Sequence, residues 1–86
     1  MSGRYADESN LFASISTSPE VLARLRRRIN AIEHAADTMQ VHLASEKAQG
    51  FVEALEELKV LKPAEIESLY LFIDDAAQAR VTEFLV

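Results

Sequence analysis

Cysteine and tryptophan are absent from the 86 residues, and glycine and proline occur only twice each. Without cysteine there is no disulfide scaffold, no thiolate zinc site and no cysteine nucleophile. Four turn-forming residues of these two kinds are too few for an all-β chain of this length. Long apolar runs are missing too. The longest, Leu69-Tyr70-Leu71-Phe72-Ile73, is far short of the ~18–20 residues of a membrane span. Residues 1–10 hold one Arg, two acids and no apolar stretch, unlike a secretory signal, and Gly3 is not in the second position that myristoylation requires. The expectation is a cytoplasmic chain with no membrane contact.

What is present fits one small globular domain: 49% apolar residues, 27% charged and a formal charge of -5. The charge is uneven. Residues 1–43 carry five Arg against five acids, whereas residues 44–86 carry four bases against nine acids.

Residues 1–17, rich in Ser, Asp, Asn and Gly, read as a flexible N-terminal arm ahead of a single helical domain over 18–86. Leu11, Phe12 and Ile15 in the arm either dock on a groove or are scattered apolar residues of a tail. A helix start follows. Ser18 can accept an orphan backbone N–H, Pro19 suits the first helical position, and Glu20 suits the positive end of the helix dipole. From there Leu22, Leu25, Ile29, Ile32, Ala36, Met39 and Leu43 recur in alternating steps of three and four, the a/d seam of a coiled coil. A second stripe, Val41, Ala44, Ala48, Phe51, Leu55 and Leu58, then takes over on a rotated face.

Either the helix breaks near Ser45–Gly50, or one helix of about 40 residues continues to about residue 61. The strong helix formers Ala44, Glu46, Lys47, Ala48 and Gln49 favour continuity, with Gly50 allowing close approach of a neighbouring helix. Lys62-Pro63 ends it, and Pro63 opens a second helix to about Phe84. Leu61 and Ile66 are spaced as a hydrophobic staple. The core face of the second helix is expected at Ile66, Leu69, Tyr70, Ile73, Ala76, Ala77, Val81 and Phe84, with Leu71 and Phe72 off that face. The fold class is therefore all-α: a long N-terminal helix and a shorter antiparallel one in a helical hairpin.

Length then sets a problem. The first helix would be about 60 Å long and the second about 33 Å, so the Leu22–Leu43 seam is left uncovered. An apolar row of that size calls for a partner, and a second copy of the chain is the simplest one. Leu22, Leu25, Ile29 and Ile32 are expected to be buried against another chain, in a dimeric bundle or coiled coil. The alternative is that the arm, through Leu11, Phe12 and Ile15, covers the seam within one chain.

Chemistry is sparsely indicated. Arg24, Arg26, Arg27 and Arg28 could contact a polyanion or form ion pairs, yet four arginines in five residues point several ways around a helix, and no aromatic is interleaved for base stacking. The negative total charge also opposes non-specific nucleic-acid binding. His34 and His42 are eight apart, and His42 with Glu46 is at most a two-ligand fragment, so no metal or cofactor is expected. The adjacent pairs Glu56-Glu57 and Asp74-Asp75 diverge by about 100° and form no cooperating dyad. No phosphate loop, dinucleotide fingerprint or Ser-His-Asp set is evident, and no catalytic residue is expected.

Three functional readings remain. The first is a non-enzymatic protein-protein interaction module (an adaptor, small chaperone or inhibitor) with Leu71 and Phe72 as further contact residues. The second is a dimeric nucleic-acid-associated regulator using Arg24–Arg28. The third is an acidic antagonist of a nucleic-acid-binding enzyme that uses Glu53, Glu56, Glu57, Glu65 and Glu67.

Overall fold

The computed structural model describes the backbone of residues 8–85 and the side chains of residues 11–85; residues 1–7 of the expected arm and Val86 lie outside them. The described chain is all-helical, with α1 over Glu8–Ala13, α2 over Pro19–Glu33, α3 over Thr38–Glu57 and α4 over Pro63–Glu83. The all-α expectation stands, and both proline starts fall where the sequence places them. The Ser18 hydroxyl accepts from the Val21 N–H, capping α2.

The long first helix does not form. It is interrupted at His34–Asp37, well before Gly50, and the longest dimension of the molecule is 39 Å. The cause is a second helix start inside the expected seam. Asp37 is the N-cap of α3, its carboxylate accepting the Gln40 N–H at 2.8 Å, and the Gln40 side chain reaches back to accept the Ala36 N–H at 3.2 Å. The pair is a shifted variant of the capping box: Gln40 at N3 bonds the N–H of Ala36, one residue before the N-cap, rather than that of Asp37 itself. On the other side of the break, His34 closes α2 through its backbone bond to Asn30.

The break turns a hairpin into a three-helix bundle. α2, α3 and α4 pack pairwise on one another. The short links make α3 antiparallel to both neighbours. At one end Glu65 of α4 accepts from the Ser16 N–H just ahead of α2; at the other, the Arg80 guanidinium donates twice to the Ala35 carbonyl, at 2.8 and 2.9 Å. These two ties show that α2 and α4 run side by side in the same direction. Arg80 also supplies partners to a carbonyl of the interhelical link that no helix can satisfy.

Four corrections follow. Leu25, Ile29 and Ile32 are fully buried in this chain's own core, with Leu22 half-buried beside them, because α4 starts level with α2 and covers that face. Phe72 is not off the core. It is fully buried, since α4 packs on two helices and its apolar face must be wider than one partner requires. Phe84 is instead partly exposed, near the end of α4. Finally, Gly50 lies within α3 as expected of a continuous helix, but it faces solvent, and a Cβ there would meet nothing. No neighbouring helix approaches it.

The described part of the expected arm is also structured. α1 and the turn after it bury Leu11, Phe12 and Ile15 in the same core as Leu25 and Ile29. Of the two sequence alternatives for these residues, docking on a groove is the one found.

Candidate functional site

On α2, Arg24, Arg27, Arg28 and Ala31 are spaced i, i+3, i+4, i+7, which stacks them on one face of the helix. That face forms one wall of an open groove of about 600 Å³, and α3 forms the other with Gln40, Leu43, Ala44 and Lys47. Asn30, His34 and Ala35 line its end at the α2–α3 link. Among the described residues no Asp or Glu lines this groove. Three of the four expected arginines thus converge with Lys47. Arg26 points elsewhere, its guanidinium 4.6 Å from the centroid of the Phe12 ring at the α1 contact.

Arg28 is held differently from Arg24 and Arg27. Its guanidinium carbon lies 5.2 Å from the centroid of the half-buried Phe51 ring, and its Nε is buried with no hydrogen-bond partner. A cation over an aromatic face gains from the ring quadrupole, but that contact does not replace the missing hydrogen bond.

Beside the groove, α3 turns two large apolar side chains outward. Met39 is 67% exposed and Leu43 is 52% exposed. They sit one turn apart, across the helix from Val41, Ala48 and Val52, which are buried. Further along the same outer side come Gly50 and Ala54, both exposed, and then Leu58 at the C-cap. Ala36, the member of the expected seam between these residues and the core, is exposed in the link. The expected seam is therefore two surfaces: its first half is core, and its last residues are solvent-facing.

A second groove, of about 570 Å³, runs between α3 and α4. It has the opposite character, with Glu46 and Asp74 among its walls and, among the described residues, no Lys or Arg. His42 and Glu46 do face the same groove, yet among the described residues no group of three or more His, Cys, Asp or Glu could hold a metal ion. On α4, Leu71 is exposed as expected, between Glu67 and Asp74 on the outward face. Asp75 is half-buried with one carboxylate oxygen unpartnered, so the Asp74-Asp75 pair divides between two environments.

The acidic cluster divides too. Burial first, and then the carboxylates of Glu56 and Glu53, push the Tyr70 hydroxyl above its ordinary range. Glu65 is engaged in structure: its carboxylate accepts the N–H groups of Lys62 at 2.8 Å and Ser16 at 2.9 Å, which hold its carboxyl below the usual value. It is tied to the bundle end rather than offered with Glu53, Glu56, Glu57 and Glu67 as a charge surface. Comparison of the chain with protein-family models, with curated proteins and with solved structures finds no match.

Proposed function

We propose that this chain is a non-enzymatic helical interaction module that binds a protein partner along the outer faces of α2 and α3. The observation that carries the reading is the pair Met39 and Leu43, both more than half exposed on adjacent turns beside a groove that no described carboxylate lines. Large apolar side chains clustered next to complementary polar groups are the make-up of a binding patch. The core seam at Leu25, Ile29 and Ile32 takes no part, because those residues are enclosed by the chain itself. The exposed Met39 and Leu43 take the place of that seam as the contact surface.

A second reading has its own observation. Arg24, Arg27 and Arg28 share one face, which suits phosphate contact and favours a nucleic-acid-associated role more than four diverging arginines would.

The first reading is tested with a photo-crosslinking residue in place of Leu43, and in a control in place of Gln78 in the α3–α4 groove. In cells that make the protein, position 43 should give a discrete protein adduct that position 78 does not. Absence of any adduct from position 43, with a monomer in sedimentation at micromolar concentration, overturns the reading.

A further inference from the structure

The α2–α3 groove has a charge problem that the chain does not solve. Arg24, Arg27, Arg28 and Lys47 converge on it, and among the described residues no acid lines it and none of the four forms an ion pair. Arg24 and Arg28 are at i and i+4, with Arg27 one residue before, so they repel one another along α2. This occurs in a chain with fourteen acids against nine bases, where compensating carboxylates are plentiful. The buried, unpartnered Nε of Arg28 adds a donor with no acceptor. An anionic occupant would relieve the repulsion.

The groove also has a shape and an apolar element. From Arg24 to His34 it follows about three turns of α2, roughly 15 Å. Leu43 lies in its α3 wall among the cations. A partner helix carrying carboxylates one turn apart would match the turn-by-turn placing of Arg24 and Arg27–Arg28, with an apolar residue between them against Leu43. A phosphate backbone has no use for Leu43, and among the described residues no Phe, Tyr or Trp lines the groove to stack a base. A longer nucleic acid would also run past the groove into the field of a chain at -5.

Resting on the interaction-module reading, we propose that the α2–α3 groove binds an acidic amphipathic helix of a different protein. A second copy fits poorly. The far end of α3 exposes Glu53, Glu57 and Leu58, and docking of that end would show as self-association that Arg24→Glu/Arg27→Glu abolishes, a result that would overturn the choice of a different protein. Apart from that end, the comparable surface of a second copy is the outward face of α4, Glu67-Leu71-Asp74, which lies across the three-helix bundle from the groove. Joining the two is head-to-tail and does not close into a dimer. The groove is thus a helix-in-groove site whose cations set partner choice and whose Leu43 sets register.

The test uses the whole chain and three fluorescein-labelled probes. One is a helical peptide of about four turns with a Leu stripe flanked by Glu; the second has Lys for Glu; the third is a single-stranded DNA of similar length. The Glu peptide should bind, and the Lys peptide should not. The double variant Arg24→Glu/Arg27→Glu should weaken binding about tenfold or more with an unchanged melting curve, since both side chains are exposed. Leu43→Ser should weaken it as well, and Arg26→Glu should leave it unaltered. If the charge reversal disturbs folding, Arg24→Gln/Arg27→Gln takes its place. Tighter binding of DNA than of the Glu peptide overturns the proposal in favour of a polyphosphate site. Binding of neither probe, or binding indifferent to Arg24 and Arg27, also overturns it. A position-43 adduct that survives the charge reversal leaves the module reading standing while this inference falls. Loss of any adduct from the wild-type chain removes the reading beneath it.

Discussion

Two residues sit in each other's natural places. The turn after α3 closes as a Schellman motif, with the Val60 N–H bonded to the Leu55 carbonyl and the Lys59 N–H to that of Glu56. The left-handed position of such a motif favours glycine, yet Lys59 holds it at φ 57. Meanwhile Gly50 occupies an exposed turn inside α3 with open space around it. Lys59→Gly should therefore raise stability by about 0.5–1 kcal/mol by relieving the backbone strain. Gly50→Ala should raise it by a similar ~0.5–1 kcal/mol through helix propensity alone. Urea midpoints measured on each variant check both, and an unfavourable shift for Gly50→Ala would mean that the outer face of α3 is packed in solution. Glu65 gives a pH signature. Its carboxyl is held below the ordinary value of 4.5 by the N–H groups of Lys62 and Ser16. The folded state therefore binds this proton less readily than the unfolded state. The stabilisation is complete above the unfolded pKa and is lost as pH falls through the lower folded one. Glu65→Gln should flatten the drop in urea midpoint between pH 6 and acid, and an unchanged drop would place the acid sensitivity elsewhere.

At the scale of elements, the α2–α3 junction decides the architecture. The a/d spacing from Leu22 to Leu43 is real, but it runs through a helix end. Two amphipathic helices in series can keep a 3–4 rhythm across a short link, so periodicity alone does not see the break. The signal was present in Asp37 and Gln40, at the N-cap and N3 spacing, within a run of helix-permissive residues. The cap therefore carries a testable weight. Asp37→Ala should cost about 1 kcal/mol, since it leaves the Gln40 N–H without its side-chain acceptor. Thermal denaturation measures this, and no loss would mean that the Arg80 clamp on Ala35 holds the junction unaided. The arginine face Arg24, Arg27, Arg28, Ala31 was likewise open to a spacing argument once Arg26 is set apart. Its relation to Lys47 was not, because it depends on α3 turning back beside α2.

For the whole molecule, the consequence is that the first half of the seam, Leu25, Ile29 and Ile32, stabilises the fold of the single chain. Ile29 is fully enclosed by the chain, so Ile29→Asp buries an unpaired charge in the only core the described residues have. The cost of several kcal/mol is comparable to the total stability of a domain this small. The variant should lose helical circular dichroism cooperatively, including that of α3 and α4. Survival of the α3–α4 helical signal alongside a fall in sedimentation coefficient would instead support a dimer built on the seam.

The sequence by itself determined the helical class, the start of α2 at Ser18-Pro19, the start of α4 at Pro63 and part of the α3–α4 core, Val41, Ala48, Leu55, Ile66, Leu69, Ile73 and Ala76. These are local matters of capping, ring geometry and periodic burial, and each is written within a few neighbouring positions. Tertiary structure alone decided that Leu11, Phe12 and Ile15 close the core, that Phe72 faces inward, that Ala35 is held by Arg80 from 45 residues away, and that Lys47 joins the arginines of α2. Each depends on where the chain goes after the turn at Asp37. A single helix and a bundle share the same apolar rhythm and differ only in which distant faces meet.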